Sequence, residues 1–169
     1  EGTAITGMKS HQRVARGVAY VPQGRQIFSS MTVQENVETG LTVTGEKTVP
    51  EEIYELFPVL LEMKDRRGGN LSGGQQQQLA IARALASKPK VLLLDEPTEG
   101  IQPSIIREMA RTLRKIRDQK GLSIVVSEQV LSFALDVADR VMVIENGRFV
   151  HDSPREGIDE EKVSKFLSV

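Results

Sequence analysis

The chain has 169 residues, 39% of them hydrophobic, which suits one ordinary domain. Its 22 basic and 23 acidic residues give a net charge of -1, and the basic residues are dispersed, which argues against binding of DNA or RNA. No apolar run reaches the roughly 18–20 residues that a membrane-spanning helix needs. The sequence has no cysteine, so disulfides and thiolate zinc sites are excluded. These features together favour a soluble chain in the cytoplasm.

Hydrophobic periodicity, interrupted by glycine and proline, divides the sequence into alternating helices and strands. In chain order we predict a helix over 9–16, a strand over 18–21, helices over 33 to 40 or 41, 51–63 and 75–86, a strand over 91–94, a helix over 104–119, a strand over 123–127, a helix over 131–138, strands over 141–145 and 148–150, and a closing helix over 159–167. Residues 42–50 and 65–70 are expected to be loops.

Strands that alternate with helices predict an α/β fold with a mainly parallel sheet. The stretch from about residue 32 to 88 lacks strands, and we interpret it as a helical subdomain inserted into one domain over residues 1–169. Thr32 and Glu35 match the capping box that begins a helix. Asn146-Gly147 predicts the turn of a hairpin between the last two strands.

Ser72-Gly73-Gly74 lies directly before the predicted helix over 75–86. Free backbone N–H groups and the positive end of the helix dipole can receive a phosphate there, and glycine permits its close approach. The hydroxyl of Ser72 can add a donor. In isolation, such a triplet more often simply caps a helix.

Asp95 and Glu96 follow an unbroken apolar strand, at the sheet edge where α/β proteins bind their ligands. Two adjacent carboxylates at this edge can divide the chemistry between them. Asp95 would hold Mg²⁺, largely through water, and Glu96 would polarise an attacking water molecule. The alternative is that Asp95 to Thr98 only end a strand and begin a turn.

In combination, the two motifs are far more specific. Residues 71–75 resemble the signature motif of ABC-type ATPases, and residues 91–96 resemble their Walker B strand. The resemblance covers essentially the whole chain and implies a partial P-loop NTPase-like fold that binds ATP and Mg²⁺. Gln23 is then identified as the Q-loop glutamine, which contacts Mg²⁺ and the γ-phosphate, and residues 98–103 as the D-loop. The residues implied to contact ATP across a dimer are Leu71, Ser72, Gly73, Gly74 and Gln75.

The resemblance also implies a histidine near the end of the 123–127 strand, but the sequence departs from the family there. Counting back from Ala138-Asp139-Arg140 places Gln129 at this position. A glutamine can hydrogen-bond to a γ-phosphate but cannot carry a proton. We assign Gln129 to the catalytic group on that basis. His11 and His151 lie far from the motifs and are expected to be surface residues.

A second departure concerns the phosphate-binding loop. The chain contains no G-x-x-x-x-G-K-[ST] motif. In the family this loop and an adenine-stacking aromatic residue would precede residue 1, together with a strand beside residues 91–94. We therefore expect the 169 residues not to hydrolyse ATP unless another chain supplies these parts. Without that neighbour, the strand over 91–94 would have an unpaired edge, and we expect the chain to self-associate through it.

Two longer segments, 68–79 and 98–106, resemble the ATP-binding subunits of urea importers, within the branched-chain amino acid branch of the ABC transporters. This resemblance implies an energy-coupling ATPase on the inner face of a bacterial membrane. Its partners would be a second ATPase subunit and transmembrane permeases, with a solute-binding protein acting indirectly.

Three other functions compete with this interpretation. ABC-type ATPases of chromosome maintenance carry a long coiled coil between the Q-loop and signature motifs, whereas 47 residues separate Gln23 from Leu71. Translation-factor members usually fuse two cassettes in one chain. The third alternative is a truncated cassette with a binding or structural role and no enzyme activity.

Overall fold

Strands and helices alternate along residues 2–158 of a computed structural model, which also places Val163 and describes no other residue. In chain order the elements are α1 Ser10–Ala15, β1 Val18–Val21, α2 Val33–Glu38, a 3₁₀ helix Thr39–Val43, α3 Glu51–Leu56, α4 Pro58–Glu62, a 3₁₀ helix Gly68–Asn70, α5 Gly73–Ala86, β2 Val91–Asp95, α6 Pro103–Lys120, β3 Ser123–Ser127, α7 Leu131–Val137, β4 Arg140–Glu145, β5 Arg148–Pro154 and a 3₁₀ helix Arg155–Gly157. The helix predicted over 159–167 falls outside the described residues except at Val163.

The predicted parallel sheet is confirmed, with strand order β1-β2-β3. Val21 pairs with Leu94, and Leu94 pairs with Val126, so all three strands end at the same edge. On one face of the sheet the side chains of Ala19, Val21, Leu92 and Leu94 are buried. On the opposite face Tyr20 and Val125 remain 55% and 50% exposed.

The sequence-based expectation of an unpaired edge beside residues 91–94 is wrong for this sheet. β2 is the central strand, because β1 and β3 pair with its two sides. Leu92 and Leu94 of β2 are buried on one face of the sheet, and Val91 and Leu93 on the other face are half-buried. The argument for self-association through an open edge of β2 therefore fails.

The hairpin predicted at Asn146-Gly147 is confirmed, but it forms its own sheet. β4 and β5 pair antiparallel, with the partner strand running to Pro154 and not stopping at residue 150. A register shift between Val143 and Ile144 interrupts the ladder. Asn146 adopts a φ of 49° and Gly147 one of 75°, as a tight turn of this kind requires.

The segment from α2 to α5 contains only helices, as predicted for the stretch 32–88. Val33 and Val37 of α2 and Leu79 and Ile81 of α5 are fully buried, and they belong to the same hydrophobic cluster as the sheet residues. Since the helices and the sheet share this cluster, the division into a main domain and an inserted subdomain stays a prediction.

Three helices differ from the sequence-based prediction by more than a shift of one residue at an end. The helix predicted over 51–63 is broken at Phe57, whose φ of -134° and ψ of 71° are extended because Pro58 disfavours helical geometry before it. α2 ends at Glu38 and continues as a 3₁₀ helix. α5 begins at Gly73, two residues earlier than predicted, so the signature glycines are its first two residues.

Asn36, which the sequence reading overlooked, anchors the segment after Gln23 to α2. Its side chain is fully buried. The amide oxygen accepts from Phe28 N at 2.8 Å, and the amide nitrogen donates to the carbonyls of Phe28, Met31 and Thr32 at 2.9, 3.3 and 2.8 Å. One buried side chain thus makes four hydrogen bonds to the backbone of residues 28–32.

None of the helices in residues 2–158 has both the length and the apolar character needed to cross a membrane. The longest, α6, has 18 residues and buries Met109, Ala110, Leu113 and Ile116 along one side.

Replacing Asn36 by alanine should lower the free energy of unfolding by about 2–4 kcal/mol, because a fully buried side chain and its four hydrogen bonds to the 28–32 segment are lost. Urea titration followed by circular dichroism measures the change. Asn70→Ala, at an exposed asparagine, is the matched control and should shift stability by no more than about 0.5 kcal/mol. Equal effects of the two substitutions would contradict the anchoring role.

Candidate functional site

The carboxyl ends of the three parallel strands bring three predicted site residues into direct contact. Gln23 follows β1, Glu96 follows β2, and Gln129 follows β3. Gln23 Nε2 donates to Glu96 Oε2 at 3.2 Å, and Gln129 Nε2 donates to Glu96 Oε1 at 2.8 Å. Each carboxylate oxygen of Glu96 therefore has its own amide donor, and the side chain is held in one orientation.

The backbone at Glu96 is also fixed. Its N–H donates to the carbonyl of Ser127 at 2.9 Å, which extends the β2–β3 pairing by one bond. Glu96 has a φ of 43°, in the left-handed region that non-glycine residues rarely adopt. This conformation turns the chain sharply out of the sheet, directly after Asp95.

Asp95 is the last residue of β2 and lies beside the end of β1. Its Oδ2 accepts a hydrogen bond from the hydroxyl of Tyr20 at 3.0 Å. This bond to the carboxylate is the largest cause that raises the pKa of Tyr20 above its ordinary value. Tyr20 was not predicted from sequence as part of the site, although it lies one strand across from Leu93.

The donor chemistry at this edge suits Mg²⁺. Asp95 offers carboxylate oxygens and Gln23 an amide oxygen, and Mg²⁺ prefers oxygen ligands in which one or two carboxylates are completed by water and substrate phosphates. Within the described residues, no group of three or more His, Cys, Asp or Glu side chains forms a metal cage. Asp95 and Gln23 therefore fit a metal that arrives with a phosphate ligand.

The residues of the signature motif form a second group, at the N-terminus of α5. Ser72 is the N-cap, and its Oγ accepts from Gln75 N at 3.4 Å. Gln75 Oε1 in turn accepts from Ser72 N at 2.9 Å, which completes a capping box. The side chain of Leu71 is buried, so that this residue can offer only its backbone to a ligand.

The two signature glycines are also places of close packing. A Cβ at Gly74 would lie 2.7 Å from Ile105 Cγ2 on α6. A Cβ at Gly73 would lie 3.3 Å from the carbonyl oxygen of Gly100. The absence of side chains therefore lets the start of α5 approach both α6 and the loop after β2.

Arg25 bridges the two groups. Its Nη2 donates to the carbonyl of Glu99 at 2.6 Å, and the same nitrogen lies 3.5 Å from the ideal Cβ position of Gly73. Arg25 itself has a φ of 67°. The loop after β1 thus contacts the loop after β2 and the start of α5.

The structure therefore joins Gln23, Glu96 and Gln129 by hydrogen bonds, places Asp95 next to them, and gathers residues 71–75 at a separate helix end. His151 contacts Ser153 on the hairpin, away from both groups, as expected of a residue outside the site. The sequence reading missed Glu128, whose carboxylate binds Thr98. The sequence does carry one signal for this residue, since Glu128 is an acidic residue directly before the predicted site residue Gln129.

Comparison with known proteins identifies the family. The ABC transporter family profile matches residues 1–99, which is more than half of the chain. The chain belongs to the ABC transporter family and has the fold of its ATP-binding domains.

Individual relatives carry different transport functions in their names. The chain is 43% identical to the high-affinity branched-chain amino acid transport ATP-binding protein BraG of Pseudomonas aeruginosa, over 90% of the chain and 67% of that protein. It is 31% identical to the lipopolysaccharide export system ATP-binding protein LptB of Haemophilus influenzae, over 98% of the chain and 70% of that protein. The structure also resembles the ADP conformation of the ATP-binding cassette MJ1267, with a TM-score of 0.73, 28% identity and coverage of 98% and 70% of the two chains.

Replacing Asp95 by alanine should lower the pKa of Tyr20, because the hydrogen bond that stabilises the neutral phenol is lost. The chain has two tyrosines and no tryptophan, so the Tyr54→Phe background leaves Tyr20 as the sole source of tyrosinate absorbance. Alkaline titration of that absorbance gives the pKa. Asp65→Ala, at an exposed carboxylate, is the control. An unchanged Tyr20 titration in Asp95→Ala would contradict the contact.

Proposed function

We propose that this chain is part of the ATP-hydrolysing subunit of an ABC importer and that Glu96 activates the attacking water. The observation that carries the proposal is the pair of amide donors on Glu96, from Gln23 and Gln129. A carboxylate held by two neutral donors keeps its orientation and remains an acceptor for the proton of a water molecule.

Each of the other site residues then has a chemical role. Asp95 and Gln23 would hold Mg²⁺, which supplies charge neutralisation at the β- and γ-phosphates. Gln129 orients Glu96 and can turn its amide towards the γ-phosphate without exchanging a proton. Because glutamine does not titrate, this role involves no protonated side chain at residue 129.

The N-terminus of α5 supports a second half of the nucleotide site. Gly73 and Gly74 offer helix N–H groups to an anion, Ser72 can add its hydroxyl, and Gln75 fixes the cap. We propose that these residues contact ATP bound mainly to a second ATPase subunit, so that two copies enclose two nucleotides by twofold symmetry. The phosphate-binding loop, absent from these 169 residues, would come from another segment or another chain.

The partners in this proposal are transmembrane permeases, and the subunit would lie on the inner face of the bacterial membrane. A solute-binding protein would act indirectly, through the permeases. The solute is proposed to be urea or a branched-chain amino acid. Similarity to BraG supports the amino acid, and the sequence of residues 68–79 and 98–106 supports urea.

One other candidate function has specific support. Similarity to LptB favours an exporter of the same ATPase chemistry. The remaining alternative is a non-enzymatic binding module. The site itself is the same in the importer and the exporter, whereas a binding module would have no use for the water-activating carboxylate.

Glu96→Gln in the complete gene product should reduce kcat for Mg-ATP hydrolysis by about 100-fold or more, because a neutral amide cannot accept a proton from water. Phosphate release at saturating Mg-ATP measures the rate. Glu62→Gln, the same chemical change at an exposed residue of α4, should leave kcat unaltered. Hydrolysis by Glu96→Gln at the unsubstituted rate would overturn the enzymatic proposal and favour a binding module.

Deletion of the gene should lower cellular uptake of either labelled urea or labelled leucine. Expression of the unsubstituted gene should restore that uptake, and the Glu96→Gln copy should not, because the permease would lack its source of energy. Loss of urea uptake assigns the solute as urea, and loss of leucine uptake assigns a branched-chain amino acid. Normal uptake of both would contradict the importer proposal.

A further inference from the structure

Glu128, directly after β3, uses both of its carboxylate oxygens to join two loops. Oε2 accepts from Thr98 N at 3.3 Å and from Thr98 Oγ1 at 2.7 Å. Oε1 accepts from the backbone N–H groups of Gln129 and Val130 at 2.8 and 3.0 Å. One side chain therefore fixes the loop after β2 to the loop after β3.

The Thr98 end of this contact is buried. Thr98 is only 5% exposed, and both of its hydrogen-bond donors are directed at the same Glu128 oxygen. Hydrogen bonds to an ionised acceptor are roughly twice as strong as neutral ones, and a buried donor without its acceptor is costly. Thr98 and Glu128 are therefore expected to move together.

The other end of the contact reaches the proposed general base. Glu128 binds the backbone N–H of Gln129, and the side chain of Gln129 donates to Glu96 Oε1 at 2.8 Å. A displacement of Glu128 moves the backbone from which this amide projects. Since a hydrogen bond weakens steeply with geometry, the orientation of Glu96 depends on the position of Glu128.

Thr98 also belongs to the loop that packs against α5. The N–H of Glu99 donates to the carbonyl of Glu96 at 3.2 Å. Gly100 places its carbonyl oxygen 3.3 Å from the ideal Cβ position of Gly73. A continuous series of contacts therefore runs from the N-terminus of α5, through the 98–100 loop and Glu128, to the amide that holds Glu96.

We propose that Glu128 is a positioning residue, which orients Gln129 on Glu96 only when the 98–100 loop is seated against the start of α5. The inference rests on the proposed function, because it assigns a further residue to that same site. A ligand that moves the N-terminus of α5 therefore changes the alignment of Glu96, because the movement is passed on through Thr98 and Glu128. Glu128 contacts neither nucleotide nor water in this role.

The kinetic test compares Glu128→Gln and Thr98→Val in the complete gene product. Each replacement keeps the size of the side chain: Glu128→Gln removes the negative charge and one acceptor oxygen, and Thr98→Val removes the hydroxyl donor. We expect kcat for Mg-ATP hydrolysis to fall about tenfold in each, with KM within about twofold, because the alignment of the base is lost while nucleotide contacts remain. The double variant should fall no further than either single variant, since both remove the same contact.

Two matched variants separate positioning from general stability. Thr98→Ser retains the hydroxyl and should recover most of the rate lost in Thr98→Val. Glu108→Gln is the same chemical change at an exposed residue of α6 and should leave kcat unaltered. An undiminished kcat in Glu128→Gln, or effects of Glu128→Gln and Thr98→Val that multiply in the double variant, would overturn the proposal.

A measurement without catalysis distinguishes this proposal from the proposed function. Amide hydrogen exchange at Gln129 and Val130 should be faster in Glu128→Ala than in the unsubstituted protein, because both N–H groups lose their common acceptor, Oε1 of Glu128. Unchanged exchange would overturn the positioning role. If the unsubstituted gene product released no phosphate from ATP, the proposed function would fail, and the exchange rates would still decide whether Glu128 holds these amides.

Discussion

Parallel pairing of three strands in register is the constraint on which the site depends. Because β1, β2 and β3 run in one direction and pair at Val21, Leu94 and Val126, the residues that follow them emerge at one edge. Gln23 and Glu96 each lie two residues beyond a paired position, which places an amide next to a carboxylate. A slip of one residue in any strand would exchange its buried face for its exposed face, so the hydrophobic core fixes the register and thereby the site.

Hydrogen bonds to side chains then turn this alignment into a rigid arrangement. Asn36 holds the segment after β1, and the Ser72 cap holds the start of α5. Glu128 joins the loops that follow β2 and β3. In each case one polar side chain makes hydrogen bonds to backbone groups of a loop or a helix end. The loops at this edge are therefore ordered by specific polar contacts, whereas the helices and the sheet are ordered mainly by apolar burial.

Much of this organisation could be predicted from sequence because its signals are local. The capping boxes at Thr32 and Ser72 are sequence patterns, and the apolar run before Asp95 marks a buried strand. The place of Gln129 followed from counting along the chain. The break before Pro58 was missed because helical periodicity continued across it, although the proline itself was a warning. Non-local contacts gave no such pattern: the bond from Glu128 joins residues 30 positions apart, and only the pairing of the strands brings them together.

Three residues at or near the site have a left-handed backbone conformation, which limits the residue types that fit at these positions without strain. Arg25, Gln26 and Glu96 have φ values of 67°, 45° and 43°. Each such residue costs about 1 kcal/mol relative to glycine, and branched side chains cost more. Selection for thermal resistance alone would thus favour glycine or asparagine at these positions. At Glu96, which is proposed to activate water, the long polar side chain carries the chemistry, so a stabilised relative with glycine at this position would be expected to have lost turnover along with its strain.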